Sequence, residues 1–157
     1  MQGRVDTVLN RNGIRQANEL RNKLKDKKID VCFSSPLIRA RQTAFTIVGD
    51  RCLINTDDRL LERSLGLLEG ESKDTYDMDK YWDTKINSDD SHIEPINDVY
   101  KRVEDFIDYL KKNYDGQYIL IVSHSAVLRA MHNTLSNHKD NTESFNIGNG
   151  SLEEFDV

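Results

Sequence analysis

The sequence predicts an α/β domain with a largely parallel sheet. Segments with helical spacing of apolar residues alternate with short apolar runs. The run with most β-branched side chains is typical of a strand buried on both faces. One run, Ile119 to Val122, leads through Ser123-His124-Ser125 into a helical pattern from Ala126 to Met131. Such a turn lies at the C-terminal edge of a sheet, where a helix N-terminus attracts anions. His124 is therefore a candidate anion contact, and an ordinary polar turn residue is the alternative.

The first half of the chain is predicted to hold two helices and two strands. A helix from Asn10 to Lys28 has apolar side chains on one face and an asparagine that can cap its start. A short apolar run predicts a strand from Ile29 to Ser34. Pro36 suits the first turn of a helix that continues from Leu37 to Val48. The segment from Cys52 to Asn55 predicts a second short strand.

The second half begins with an irregular region and ends with a predicted strand. Glycines break any long helix between Asp57 and Gly70, and the polar stretch from Glu71 to Ser91 is interpreted as a small helical excursion or lid. The clearest 3/4 spacing of apolar residues runs from Pro95 to Tyr114, and Ser151 to Val157 predicts a last strand. Because no repeat or linker interrupts the pattern, residues 1–157 are predicted to form a single domain.

Composition excludes several classes of protein. The net charge of −5 argues against a general nucleic-acid binder, although a local basic pocket for a small phosphorylated substrate remains compatible with it. Two isolated cysteines are too few for a disulfide framework or a thiolate zinc site. No apolar segment is long enough to cross a membrane, and the first residues lack a signal-peptide core. We therefore expect a cytoplasmic protein that has no nucleic-acid or membrane partner.

Arg39 and Glu62 are further candidates for chemistry near strand ends. Arg39 lies in the first turns of the second predicted helix, where a guanidinium can reach back to an anion; a solvated helix arginine is the alternative. Glu62 lies in the glycine-broken region, where a carboxylic acid with a raised pKa can protonate a leaving alkoxide. An exposed loop glutamate is the alternative for that position.

Four motifs together resemble a known family. They are QGRVDTVLNRNGIRQA, SSPLIRARQTA, LLERSLGLLEG and IVSHSAVLRAM, in this order along the chain. The combination resembles the histidine phosphatase superfamily, also called the phosphoglycerate mutase-like family, from Gln2 to about Val157. The resemblance implies a three-layer α/β/α fold. It also implies phosphoryl transfer through a phosphohistidine without a metal or cofactor, because histidines and arginines neutralise the transition-state charge.

The resemblance assigns a role to each candidate. Arg39 resembles the second of two phosphate-binding arginines, Glu62 resembles the proton donor, and His124 resembles the second, non-nucleophilic histidine. Gln2 and Gly3 match a loop that lines the substrate pocket. The backbone N–H of Ser125 is a further phosphate contact, although the family usually has glycine at this position.

One defining motif of the family is absent. An arginine-histidine-glycine run at the end of a first, central strand should lie upstream of Gln2, but the chain begins at Met1. Met1 is interpreted either as an internal methionine of a longer protein or as the start of a truncated homologue. The chain as written is therefore expected to lack the nucleophile and its activity. If a second copy of the chain supplied a strand in place of the missing first strand, the protein would be a homo-oligomer.

The resemblance predicts the substrate class. The expected ligand is a small phosphorylated substrate or a phosphate-like anion, and the short segment from Gly70 to Ile93 favours a phosphatase over a mutase. The alternative is a non-catalytic module that binds a phosphorylated ligand or a partner protein. A metal site built on His124, His132 and His138 is disfavoured, since the first two lie about 12 Å apart along a helix.

Overall fold

The computed structural model of the protein describes residues 2–72, 92–136 and 147–156. Most of the predicted excursion, residues 73–91, lies outside the described residues. The described helices are α1 (Arg11–Leu24), α2 (Ile38–Val48), α3 (Ile96–Asn113) and α4 (Ser125–Leu135), and the strands are β1 (Val31–Ser34), β2 (Ile54–Thr56) and β3 (Ile119–Val122). None of the described helices has the length and apolar character needed to cross a membrane.

The described strands form one parallel sheet in the order β2-β1-β3. Cys32 of β1 lies opposite Ile54 of β2 and Leu120 of β3. All four residues of β1 are buried, because this strand is paired on both edges and covered on both faces. The α/β fold class and the parallel sheet predicted from the sequence are confirmed.

The helices cover both faces of the sheet and produce three layers. Phe33 of β1 packs with Phe106 of α3 and Val127 of α4 in one core cluster. Cys32, which points to the opposite face, belongs to a second cluster with residues of α1 and α2. Full burial of a side chain such as Phe106 stabilises the fold by about 1.5–3 kcal/mol. The three-layer arrangement therefore follows from the alternation of side chains along β1.

Two helices begin with different kinds of cap. The Asn10 side chain accepts a hydrogen bond from the Gly13 N–H at 2.9 Å, which is the local cap predicted for α1. Helix α2 begins after Leu37, whose side chain cannot cap it. The Asp6 carboxylate accepts a hydrogen bond from the Ile38 N–H at 2.7 Å instead. The loop formed by residues 2–9 is thereby attached to the start of α2.

The predicted last strand is wrong for the described residues 151–156, which form no ladder. Lys27 forms an ion pair with Glu154 at 3.2 Å, and His132 lies 2.9 Å from Glu153. A strand requires backbone partners, and here the contacts are made by side chains. The sequence therefore predicted a strand, but none of the described strands pairs with this segment.

Candidate active site

The residues singled out in the sequence meet in one open cavity of about 950 Å³, here called the site cavity. Its walls include the loop 2–9, the start of α2, the segment after β2 and the turn between β3 and α4. Six predicted residues line it: Gln2, Gly3, Arg39, Glu62, His124 and Ser125. The parallel sheet explains this convergence, because the C-terminal ends of its strands lie at the same edge.

His124 is buried between the sheet and the start of α4. Its Nε2 atom lies 2.8 Å from the hydroxyl oxygen of Ser35, which follows β1 directly. Burial, with smaller effects from the positive charges of Arg39 and Arg102, lowers the pKa of His124 to about 3. The imidazole is therefore neutral near pH 7 and can serve as a hydrogen-bonding group without carrying charge.

Glu62 contacts the N-terminus of α4. Its Oε1 atom accepts hydrogen bonds from the Arg63 N–H at 2.9 Å and the Ala126 N–H at 3.2 Å. Its Oε2 atom accepts one from the Ser125 hydroxyl at 3.2 Å. Burial raises the pKa of Glu62, and these donors together with Arg39 oppose the rise. The helix end predicted to attract phosphate thus carries a carboxyl group of the protein itself.

Arg39 projects from the first turn of α2 toward the loop 2–9. Its guanidinium donates hydrogen bonds to the carbonyl oxygens of Val5 and Gly3, each at 2.8 Å. Burial lowers the pKa of Arg39, opposed mainly by the Glu62 carboxylate. Arg39 therefore holds the loop 2–9 by hydrogen bonds and also places positive charge near Glu62.

The loop 2–9 requires glycine at its closest approach to the neighbouring segment. Gly3 has φ +50°, and a Cβ atom there would lie 2.6 Å from the Glu69 carboxylate. The same carboxylate accepts a hydrogen bond from the Arg4 N–H at 3.0 Å. The Gln2 amide donates to the Thr7 hydroxyl within the loop. A side chain at position 3 would therefore be strained by the positive φ and would require the Glu69 side chain to move.

Sequence reasoning missed a network of arginines behind the site cavity. Arg4 donates to the backbone carbonyl of Glu62 at 2.8 Å and pairs with Glu94 at 3.0 Å. Arg102 pairs with the same Glu94 carboxylate at 2.9 Å. The two Arg4 contacts join residues 58 and 90 positions apart, so no local motif could have predicted them.

Arg129 was also missed, and it lines the site cavity from α4. It stands four residues after Ser125, one helical turn away, so helical spacing from the predicted turn would have suggested it.

The other described histidines lie away from the site cavity. His92 is exposed, and His132 contacts Glu153; His138 lies outside the described residues. Within residues 2–72, 92–136 and 147–156, no three His, Cys, Asp or Glu side chains are grouped to bind a metal ion. His124 is thus the histidine that the described part of the chain places in the cavity wall.

Comparisons with known proteins identify the family of the chain. A sequence model described as the histidine phosphatase superfamily (branch 1) matches residues 1–157. Phosphoserine phosphatase 1 of Hydrogenobacter thermophilus is 32% identical over 139 residues, which are 83% of this chain and 65% of that protein. The chain therefore spans just under two thirds of the length of this relative.

Solved structures give a similar result. Bacillus stearothermophilus YhfR matches with a TM-score of 0.78 at 28% identity, over 87% of this chain and 71% of that one. A phosphoserine phosphatase from Entamoeba histolytica, solved in complex with 3-phosphoglyceric acid, matches with a TM-score of 0.76 at 28% identity. That match covers 96% of this chain and 78% of the other.

Proposed function

Because the chain belongs to the histidine phosphatase superfamily (branch 1), we propose that it forms the phosphoryl-binding and proton-donating part of a phosphomonoesterase site. One observation carries the proposal: Arg39, Glu62 and His124 come from three separate segments and meet in one cavity. A guanidinium, a partly buried carboxyl group and a neutral imidazole are suited to bind an anion and transfer a proton. The ligand class is a small phosphate monoester.

Each group has a defined role in this proposal. Arg39 and His124 bind phosphoryl oxygens, while the Ser125 N–H and the N-terminus of α4 add partial positive charge. Glu62 donates its proton to the leaving oxygen as the P–O bond breaks, and the burial that raises its pKa supports this role. Gln2 and Gly3 lie over the bound group from the loop 2–9. Together these groups would offset the charge that spreads over the phosphoryl oxygens.

We also propose that the described residues do not supply the attacking nucleophile. His124 is held by Ser35 and is assigned to binding, while His92 is exposed and His132 contacts Glu153. The 157-residue chain by itself should then not hydrolyse monoesters through a phosphohistidine. In that case the chain would act as a non-catalytic module, and the same site would bind a phosphorylated ligand.

The matched relatives carry both phosphatase and mutase names. Phosphoserine phosphatases match by sequence and by structure, and probable phosphoglycerate mutases of Yersinia match by sequence. We propose hydrolysis, rather than transfer between two positions of a substrate, as the reaction of the complete site, because the sequence between Gly70 and Ile93 is short.

The test is hydrolysis of 4-nitrophenyl phosphate by the 157-residue chain and by its His124→Ala variant. The expected result is no turnover by either protein, together with saturable sulfate binding by the wild type. Turnover that His124→Ala abolishes, with a phosphoenzyme trapped at His124, would contradict the assignment of His124 to binding. Absence of both turnover and sulfate binding would contradict the proposed site as a whole.

A further inference from the structure

Ser125 is the first residue of α4, and its side chain contacts the carboxyl group proposed as the proton donor. The hydroxyl donates a hydrogen bond to Glu62 Oε2 at 3.2 Å. Both residues line the site cavity. A glycine at this position, usual in the family that the sequence resembles, would have no donor to offer. The contact is therefore a property of this chain's own turn sequence.

The two oxygens of Glu62 have different surroundings. Oε1 accepts two backbone N–H groups, from Arg63 and Ala126, and these bonds do not depend on the side chains at those positions. Among the described residues, the donor on Oε2 is the Ser125 hydroxyl. A proton on Oε1 would face two N–H donors, so the neutral carboxyl group must carry its proton on Oε2.

A hydroxyl is suited to both protonation states of its partner. It donates to the carboxylate, and it rotates to accept a hydrogen bond when Oε2 carries the proton. A backbone N–H cannot make that exchange, because it only donates. The Ser125 hydroxyl can therefore keep a hydrogen bond to Oε2 whether or not this oxygen carries the proton.

We propose that Ser125 is a positioning residue that holds Oε2 of Glu62, the proton-bearing oxygen, against the wall of the site cavity. The role of Glu62 as proton donor rests on the proposed function, but the contact itself does not. In the complete site, phosphorus would bond to the attacking histidine nitrogen as its bond to the leaving oxygen breaks. The proton would then pass from Oε2 to the leaving oxygen, which keeps the electron pair of the broken P–O bond. The Ser125 hydroxyl would then turn to donate to the resulting carboxylate.

The test follows the titration of Glu62 directly, by the ¹³C chemical shift of its carboxyl carbon in NMR spectra of the full chain. Ser125→Ala removes a donor to the charged form, so the pKa of Glu62 should shift upward. Ser125→Thr keeps the hydroxyl and should restore the wild-type midpoint. Ser123→Ala is the matched control, because the Ser123 hydroxyl donates to the Leu60 carbonyl and not to a carboxylate.

The charged and titratable groups around Glu62 stay constant in these variants. They are Arg39 on α2, His124 before α4, and Arg4, which donates to the Glu62 carbonyl from the loop 2–9. Ser125→Gly provides a second donor-free variant if Ser125→Ala does not fold. An unchanged Glu62 midpoint in a folded donor-free variant would overturn the proposal. The readout needs no turnover, so its failure is distinguishable from failure of the proposed function.

Discussion

At the scale of single residues, burial decides the charge state of the groups in the site cavity. His124 is held neutral by burial near Arg39 and Arg102, while burial shifts Glu62 toward its protonated form. Each shift makes the charged form of the group less favourable in the folded chain than in the unfolded chain. Both residues should therefore contribute to the pH dependence of stability, with opposite signs.

The His124 contribution should appear as a loss of stability in acid. Its pKa is near 6.5 when unfolded and about 3 when folded, so between these values only the unfolded chain binds the proton. The free energy of unfolding should then fall as pH falls below 6.5, by at most about 1.4 kcal/mol per pH unit. Glu62 acts oppositely, because its raised pKa gives stability that is lost as pH rises above 4.5.

Urea unfolding at several pH values between 7 and 4 measures this slope. His124→Gln should remove the His124 part of it, whereas the exposed control His92→Gln should keep the wild-type slope. Identical slopes for wild type and His124→Gln would show that the imidazole is not held neutral.

Arg39 should account for most of the anion affinity of the site cavity. It lies in the cavity wall and is partly desolvated, which strengthens its attraction for a dianion. Arg39→Ala should weaken sulfate binding by roughly tenfold or more, since a hydrogen bond to a charged group contributes about 1.5–3 kcal/mol. Calorimetric titration at constant ionic strength gives the two dissociation constants.

Arg41 is the matched control for that measurement. It is an exposed arginine on the same helix and does not line the site cavity. Arg41→Ala removes the same net charge and should change sulfate affinity little. Equal weakening by both variants would indicate general electrostatics rather than a contact from Arg39.

At the scale of elements, the loop 2–9 connects the start of α2 with the cavity wall. Asp6 caps α2 at Ile38, while Arg39, the next residue, donates to the carbonyls of Gly3 and Val5. Helix α2 and the loop 2–9 therefore stabilise each other: a loop side chain caps the helix, and a helix side chain binds the loop backbone. A change at either side should disturb both.

Loss of the Asp6 cap should destabilise the protein measurably. Asp6→Ala leaves the Ile38 N–H without its carboxylate partner, which typically costs about 1 kcal/mol. Asp50→Ala is the control, because Asp50 is exposed after the C-terminal end of α2. Chemical denaturation of both variants tests this, and hydrogen exchange of the residues 2–9 should increase in Asp6→Ala alone. Equal stabilities of the two variants would mean that Asp6 contributes only its charge.

At the scale of the whole molecule, β3 is paired on one edge only within the described residues. Consecutive residues of β3 line the site cavity, together with Leu20 and Leu24 of α1. Neighbouring side chains of a strand point to opposite faces, so they cannot all face the same cavity. The part of β3 that borders the cavity along its length is therefore its backbone edge. A backbone edge beside apolar side chains favours pairing with a further strand.

We propose that an added strand against β3 stabilises this chain, supplied either by a second copy or by an extension fused before Met1. Each buried backbone group that gains a partner avoids a cost of about 1–3 kcal/mol, against a total stability of about 5–15 kcal/mol. A strand-forming extension should therefore raise Tm above that of a Gly/Ser extension of equal length. If the unextended chain is a monomer in ultracentrifugation and melts at the same temperature as the strand-extended chain, this pairing is not needed.

Much of the fold was predictable because burial leaves a local pattern in the sequence. The apolar spacing of α1 and α3 and the short apolar runs of β1 and β3 marked these elements, since each pattern reflects which side chains face the core. The motifs around Arg39, Glu62 and His124 identified the candidate residues, whose catalytic roles stay predictions. The predicted last strand was wrong for the described residues 151–156, because a local pattern does not provide a neighbouring strand to pair with.

The sequence by itself determined the α/β class, the family and the candidate residues of the site cavity. Only the tertiary structure decided what those residues contact: Glu62 on the N-terminus of α4, Arg39 on the carbonyls of Gly3 and Val5, and Ser35 on His124. The physical reason is that secondary structure follows from neighbours three or four residues apart. These contacts join residues 34 to 89 positions apart, and their distances arise only when sheet and helices have packed.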